Sequence, residues 1–197
     1  MQNQYLNLSS NLPGKIEGAL SCYEINSNLA DSILKEAEAR KIDPLLVHKP
    51  WIKDRIKEFN GVKLFERPNQ IVKEGHLIYL NRGPQSVSKI GAGTQTTPTA
   101  STYTTQQSLQ APIAGLLFPR IGSWEVQEIT NGYQFSFSFR RPVSSSPGVT
   151  VTELALKVVE GVNEANLARV VSPSGGLPHV FSATDDTLIV WDIRIVV

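Results

Sequence analysis

Between Ser123 and Arg141 the chain alternates apolar and polar side chains with a period of two, the pattern of a strand with one buried face. Trp124 and Val126 precede Asn131-Gly132, and Tyr133, Phe135, Phe137 and Phe139 follow it. Asn and Gly both tolerate positive φ, so this dipeptide predicts a tight hairpin. With Thr130 opposite Tyr133, the register sets Glu128 against Phe135, Val126 against Phe137 and Trp124 against Phe139. The aromatic rings then share one face, and Gln134, Ser136, Ser138 and Arg140 share the other. That asymmetry predicts a sheet covered by helices on a single face, with the hairpin at its middle.

Helical spacing predicts the cover. Asn28 can cap a helix over Leu29 to Arg40, with Ala30, Ile33, Leu34 and Ala37 on one face. Asp43-Pro44 and Pro50 each restart it, giving two short pieces. Ile52, Ile56 and Phe59 form the next apolar stripe before Asn60-Gly61, and Lys53, Asp54, Lys57 and Glu58 read as its solvated face. Thr150-Val-Thr-Glu153 fits a capping box, and Val151, Leu154, Ala155, Val158, Val162 and Ala165 keep helical spacing behind it. Strands are expected at Val62–Glu66, His76–Leu80, Ala168–Val171, His179–Phe181 and Leu188–Val197. The last carries Ile189, Trp191, Ile193 and Ile195 on one face and Asp192 and Arg194 on the other, so it belongs inside the sheet.

The implied fold is α+β: a mostly antiparallel β-sheet with two helices packed on one face. Residues 1–27 read as an arm and 28–197 as a single domain, with an insertion at about 86–118. No charged residue lies from Ile90 to Phe118, and 91–107 approaches a Thr-rich low-complexity tract, a long loop or a protruding β-arm.

Composition narrows function by exclusion. A formal net charge of +1 makes no electrostatic case for wrapping nucleic acid. Cys22 is the one cysteine, and His48, His76 and His179 lie in separate elements without ligand spacing, so neither a metal nor another cofactor is expected. The N-terminal residues lack the basic and apolar regions of a secretory signal, and no apolar run is long enough to span a membrane. Glu125, Glu128 and the Asp185-Asp186 turn are the only acids worth weighing for catalysis. They form no enzyme signature, and no catalytic residue is assigned.

The order of elements resembles the tail terminator, or tail-completion, proteins of long-tailed bacteriophages. The resemblance rests on the helix ending at Asn60-Gly61, Val62-Lys-Leu-Phe-Glu-Arg-Pro68, Leu77-Ile-Tyr-Leu80, the hairpin through Gln134-Phe-Ser-Phe-Ser-Phe-Arg-Arg-Pro142, the helix from Val151 and the strand Thr187–Ile195. It covers roughly 29–85 and 120–197 and transfers no diagnostic residue; the arm, the broken first helix and the insertion depart from it. It implies a structural virion protein of the tail or neck, assembled in the host cytoplasm as a ring, typically a hexamer. Such a ring caps the tail tube and meets the head–tail connector and, in a contractile tail, the sheath, with DNA passing through its channel. The candidate assembly contacts are Tyr103 and Leu109 in the insertion and Gln134, Ser136, Ser138 and Arg140 on the polar face of the hairpin. The alternatives are another neck, tube or injection-machine component, or a nucleic-acid-processing enzyme.

Overall fold

The computed structural model describes residues 15–40, 51–95, 109, 111–142, 148–172 and 176–196. In chain order the first elements are β1 (Lys15–Ile25), α1 (Ser27–Arg40), α2 (Trp51–Glu58), β2 (Val62–Pro68), β3 (Gln70–Ile71) and α3 (Lys73–Arg82). There follow β4 (Val87–Gly93), β5 (Pro112–Pro119), β6 (Glu125–Ile129), β7 (Gly132–Arg141), β8 (Thr150–Val151), β9 (Glu153–Glu160), β10 (Asn163–Val171), β11 (His179–Val180) and β12 (Asp186–Val196). Among the described residues the chain is mostly antiparallel sheet with three α-helices, an α+β fold.

The strands form two five-stranded sheets, in the orders β2-β1-β12-β7-β6 and β3-β10-β9-β4-β5, plus the small pair β11-β8. The large sheets are packed face to face. Leu20, Phe137, Phe139, Ile189, Trp191 and Ile193 from the first meet Ile90, Leu116, Phe118, Leu154, Leu156 and Val158 from the second in one core. Trp191 pairs with Phe137 in register and both are fully buried. The aromatic face of the hairpin is thus covered by a second sheet, not by helices. The opposite face of β12 presents Leu188 and Val190 to a smaller core with Ala30, Ile33, Ile52 and Ile56 of α1 and α2.

The hairpin forms with a two-residue loop as expected, but the loop lies one position earlier in the chain. Ile129 pairs with Gly132 and Val126 with Phe135, leaving Thr130-Asn131 as the loop. The slip moves each strand by one residue, so parity survives and Val126 still shares a face with the phenylalanines. Asn131 supplies the positive φ, at 61°. Gly132 is needed for another reason: a Cβ there would lie 1.9 Å from the Ile195 carbonyl oxygen on β12. The hairpin is also not the middle of its sheet, because β6 is an edge and β12 is central.

Four expectations are corrected. First, residues 15–25 are not part of an arm: β1 pairs with β12 along its whole length and with β2 on its other side, burying Leu20 and Cys22 completely. Second, the helix expected from Val151 is the β9–β10 hairpin. Leu154, Leu156 and Val158 alternate with Glu153, Ala155 and Lys157, so period two fits as well as helical spacing, and Gly161 at φ 61° turns the chain. Third, His76–Leu80 lies in α3. Val72, Gly75 and Tyr79 fall on its buried side, and a Cβ on Gly75 would meet the Asn166 carbonyl oxygen at 2.1 Å, so only glycine lets α3 sit against β10. Fourth, the insertion is shorter than 86–118. Ile90 and Ala92 of β4 and Leu116 and Phe118 of β5 are core, and the expected loop or β-arm at 96–108 lies outside the described residues, as does the restart at Asp43-Pro44.

Phe137→Asp should abolish folding, because an unpaired carboxylate in a dry aromatic core costs several kcal/mol; circular dichroism with urea titration reads this directly. Acid should also loosen the fold. Burial holds the imidazoles of His76 and His179 below the ordinary histidine range, with Glu24 opposing and Arg141 adding to the effect at His179. Below about pH 6.5 the unfolded chain takes up protons that the folded chain refuses, so stability falls as pH falls. His179 packs edge-on against Phe65 and Phe181, with ring centroids 5.9 and 4.8 Å away. His179→Phe should therefore flatten the change in urea midpoint between about pH 7.5 and 5.5.

Candidate assembly surface

The polar face of β7 lies under the helices. Gln134, Ser136 and Ser138 are 5, 2 and 3% exposed, and each polar group on this face must find a partner inside the subunit. Ser136 Oγ donates to Asp192 Oδ1 at 2.7 Å, and Lys53 Nζ donates to Asp192 Oδ2 at 2.6 Å. Gln134 donates to Ser136 Oγ at 3.3 Å and accepts from Arg194 Nε at 2.8 Å. Arg140 bridges two elements, donating from Nε to Asp186 Oδ2 and from a terminal nitrogen to Asp31 Oδ1, both at 2.6 Å. Ser27 Oγ at the start of α1 donates to the other oxygen of Asp186 at 2.9 Å.

These contacts answer two sequence readings. Lys53 is not a solvated residue of α2: it anchors that helix to the central strand. Gln134, Ser136 and Ser138 are buried, and Arg140, partly exposed, is engaged by Asp186 and Asp31 inside the subunit, so the row does not offer a neighbour an open face. The signal for this was present in β12, where Asp192 and Arg194 sit opposite Ser136 and Gln134 in register. Buried aspartates demand donors, and the row supplies them.

Leu109 has a different setting. It is 8% exposed and lines a cleft of about 310 Å³ with Gly91, Ala92, Pro112, Ile113, Leu116 and Leu117. Gly91 is required here, since a Cβ would approach Leu109 Cδ1 to 2.9 Å. Lys157 and Glu164 form the polar wall. Glu164 meets Lys89 at 2.6 Å and Lys157 at 3.6 Å, tying β4, β9 and β10 together. Burial pushes the Lys157 ammonium below the ordinary lysine range, and Glu164 partly offsets this. Deeper in the sheet Glu153 and Arg169 make a fully buried pair at 2.5 Å. Glu153 also accepts from the Ala111 amide at 3.2 Å, and Thr94 N–H donates to the Ala111 carbonyl at 2.9 Å. The two ends of the insertion are thereby fastened to the sheet. Tyr103, the remaining candidate contact, lies outside the described residues.

Among the described residues the sandwich has strand edges on opposite flanks. β5 lies over β7 and β3 over β1, so β5 and β6 share one flank while β2 and β3 share the other. β5 carries no charged residue, and its Leu117 is 43% exposed. β6 carries Glu125 and Glu128. On the far flank Val62 of β2 is 62% exposed. Uncharged, accessible edges are templates for pairing with another chain.

The acids weighed for catalysis do not converge. Glu125 accepts from the Ile52 amide in the first turn of α2 at 3.3 Å, Glu128 is exposed three residues along β6, and Asp185 accepts from Ser182 and Thr184 within its own turn. Among the described residues no group of three His, Cys, Asp or Glu side chains is placed to hold a metal ion. The Cys22 thiol is fully buried, and burial pushes its pKa far up, so it stays protonated.

Ser136→Asp should set a second carboxylate against Asp192, lower stability by about 2–4 kcal/mol and raise amide exchange in α2, whereas Ser136→Ala should cost about 1 kcal/mol; hydrogen exchange with urea titration measures both. No protein-family model matches the chain, and no curated protein or solved structure is significantly similar to it.

Proposed function

We propose that this chain is a structural subunit of a bacteriophage tail that closes into a ring and caps the tail tube, as the resemblance to tail terminator proteins implies. The observation that carries the reading is the pair of opposed strand edges among the described residues, β5 and β6 on one side and β2 and β3 on the other. A subunit whose two unlike flanks fit each other associates head to tail, and such contacts give a closed ring when the rotation between copies divides a full turn. The uncharged β5 edge and the apolar cleft beside it support the same reading, since both favour burial against protein. The partners are further copies of the chain, typically six in all, the tail tube below and the head–tail connector above, with the sheath added in a contractile tail. DNA is a passenger in the channel, and the working location is the virion.

A second reading, a neck or tube adaptor of the same kind of machine, is favoured by one observation. The helix expected from Val151 and the strand expected at 77–80, both part of the terminator resemblance, fold as the β9–β10 hairpin and as α3.

Electron microscopy of the purified protein, alone and mixed with tail tubes and connectors, tests the proposal. Rings seated at tube ends are the expected result. Rings that join connectors but leave tube ends bare favour the adaptor. A strictly monomeric protein at high concentration that binds neither tube nor connector overturns both.

A further inference from the structure

The small pair β8–β11 is held by a short ladder, His179 with Val151 and Val180 with Thr150. Around it Val151, Leu177 and Phe181 enter the large core. His179 touches Phe65 of the first sheet, and Phe181 touches Phe118 of the second at a centroid distance of 5.5 Å. The segment therefore spans the gap between the two sheets. His179 also stands edge-on to Phe181, and its Nε2 is buried without a hydrogen-bond partner. A neutral imidazole tolerates this, because one of its nitrogens is an acceptor. An imidazolium does not, because Nε2 becomes a charged donor with nothing to receive its proton.

We propose that His179 is an acid-sensitive latch: its protonation releases β11 from β8 and lifts Phe181 away from Phe118, while the two large sheets stay paired. The surrounding charges favour release. Burial disfavours the imidazolium first; Glu24 of β1 opposes this, and Arg141 of β7 adds to it. Glu24 also faces Arg141, so a second cation would have to share its carboxylate. Arg141 stays close, because its guanidinium lies 5.1 Å from the Phe181 ring centre and donates to the Ser182 carbonyl at 2.8 Å. The remaining titratable groups nearby bring no relief. Asp186 of β12 is engaged by Arg140 and Ser27, and Asp185 by Ser182 and Thr184 in its own turn. Cys22, paired with Phe65 in register, stays protonated, and Lys63 of β2 is paired with Glu66. Strand β8, Thr150–Val151, carries no charge. Release stays local because the ladders differ in length: β12 is paired along its whole length with β1 and almost as far with β7, and short ladders open first. The other buried imidazole, His76, lies on α3. The latch is independent of whether the chain forms rings.

Hydrogen exchange read by mass spectrometry on the full-length protein at pH 7.5, 6.5 and 5.5, with rates corrected for intrinsic exchange, tests the latch. The opened segment takes up a proton near the ordinary histidine pKa and the closed one refuses it, so opening grows as pH falls. Protection in peptides covering 148–152 and 177–182 should drop about fivefold between pH 7.5 and 5.5, below the ceiling of about tenfold that an unhindered pKa near 6.5 allows. Protection in β12 should hold. Glu24→Gln should enlarge the drop, because the carboxylate that favours the imidazolium is gone. His179→Phe should abolish it, and His179→Gln does the same with a polar side chain that does not titrate. Unchanged protection of 148–152 and 177–182 in the native sequence at pH 5.5 overturns the proposal. So does a drop that β12 shares in full, which is global loosening, or one that survives in either His179 variant.

Discussion

Two aspartates on the central strand govern the outer face of the first sheet. Asp186 and Asp192 are 0 and 2% exposed on β12, where an unpaired carboxylate would cost several kcal/mol. Each is neutralised by a cation and further satisfied by a hydroxyl: Arg140 and Ser27 at Asp186, Lys53 and Ser136 at Asp192. Those donors come from β7, from α1 and from α2. The requirement to satisfy two charges therefore fixes where both helices land, while the apolar contacts of Ile33, Ile52 and Ile56 supply the bulk of the attraction. Hydrophobic burial alone would permit a helix to slide along the sheet. A charge pair with directional hydrogen bonds does not.

The inner face obeys a simpler rule. Trp191, Phe137 and Phe139 fill the space between the sheets with partners from β4, β5 and β9, and close packing leaves little choice of register. Glycine marks the tight approaches. Gly132 and Gly75 sit where backbone comes too near for any Cβ, and both lie beside strands that carry this core.

What could be read from the chain followed from periodicity that admits one interpretation. The aromatic alternation of 133–139 and the alternation of 189–195 are long, strict and of period two, and both became strands facing the core. Reading failed where two periods fit the same residues. From Val151 to Ala165 the apolar positions suit a helix, yet Leu154, Leu156 and Val158 alternate just as well, and the cross-strand pair Glu153–Arg169 decides the outcome through a contact sixteen residues apart. At 77–80 four apolar or aromatic residues in a row hid the spacing of Val72, Gly75 and Tyr79. Residues 15–25 lack strong alternation because β1 is sandwiched between two strands and packed on both faces. Of the candidate contacts, the hairpin's polar row was correctly seen as one face and misread as open, since a single strand does not show what covers it. The opposed flanks are a property of sheet order, and no local stretch of sequence encodes that.

The fastening at Thr94, Ala111 and Glu153 separates the sandwich from whatever joins its β4 and β5 strands. A backbone bond between 94 and 111 and a carboxylate grip on the Ala111 amide close the ladder before the connection begins. For a flexible connection closed at its base, each doubling of length costs only about 0.6 kcal/mol. The register of β4 and β5 is thus held by contacts of their own, with Leu109 the one described residue of the connection that enters the core. A foreign peptide, a fluorophore or an affinity tag grafted between the fastened ends therefore has to spare Leu109, which packs on Gly91 as part of the scaffold.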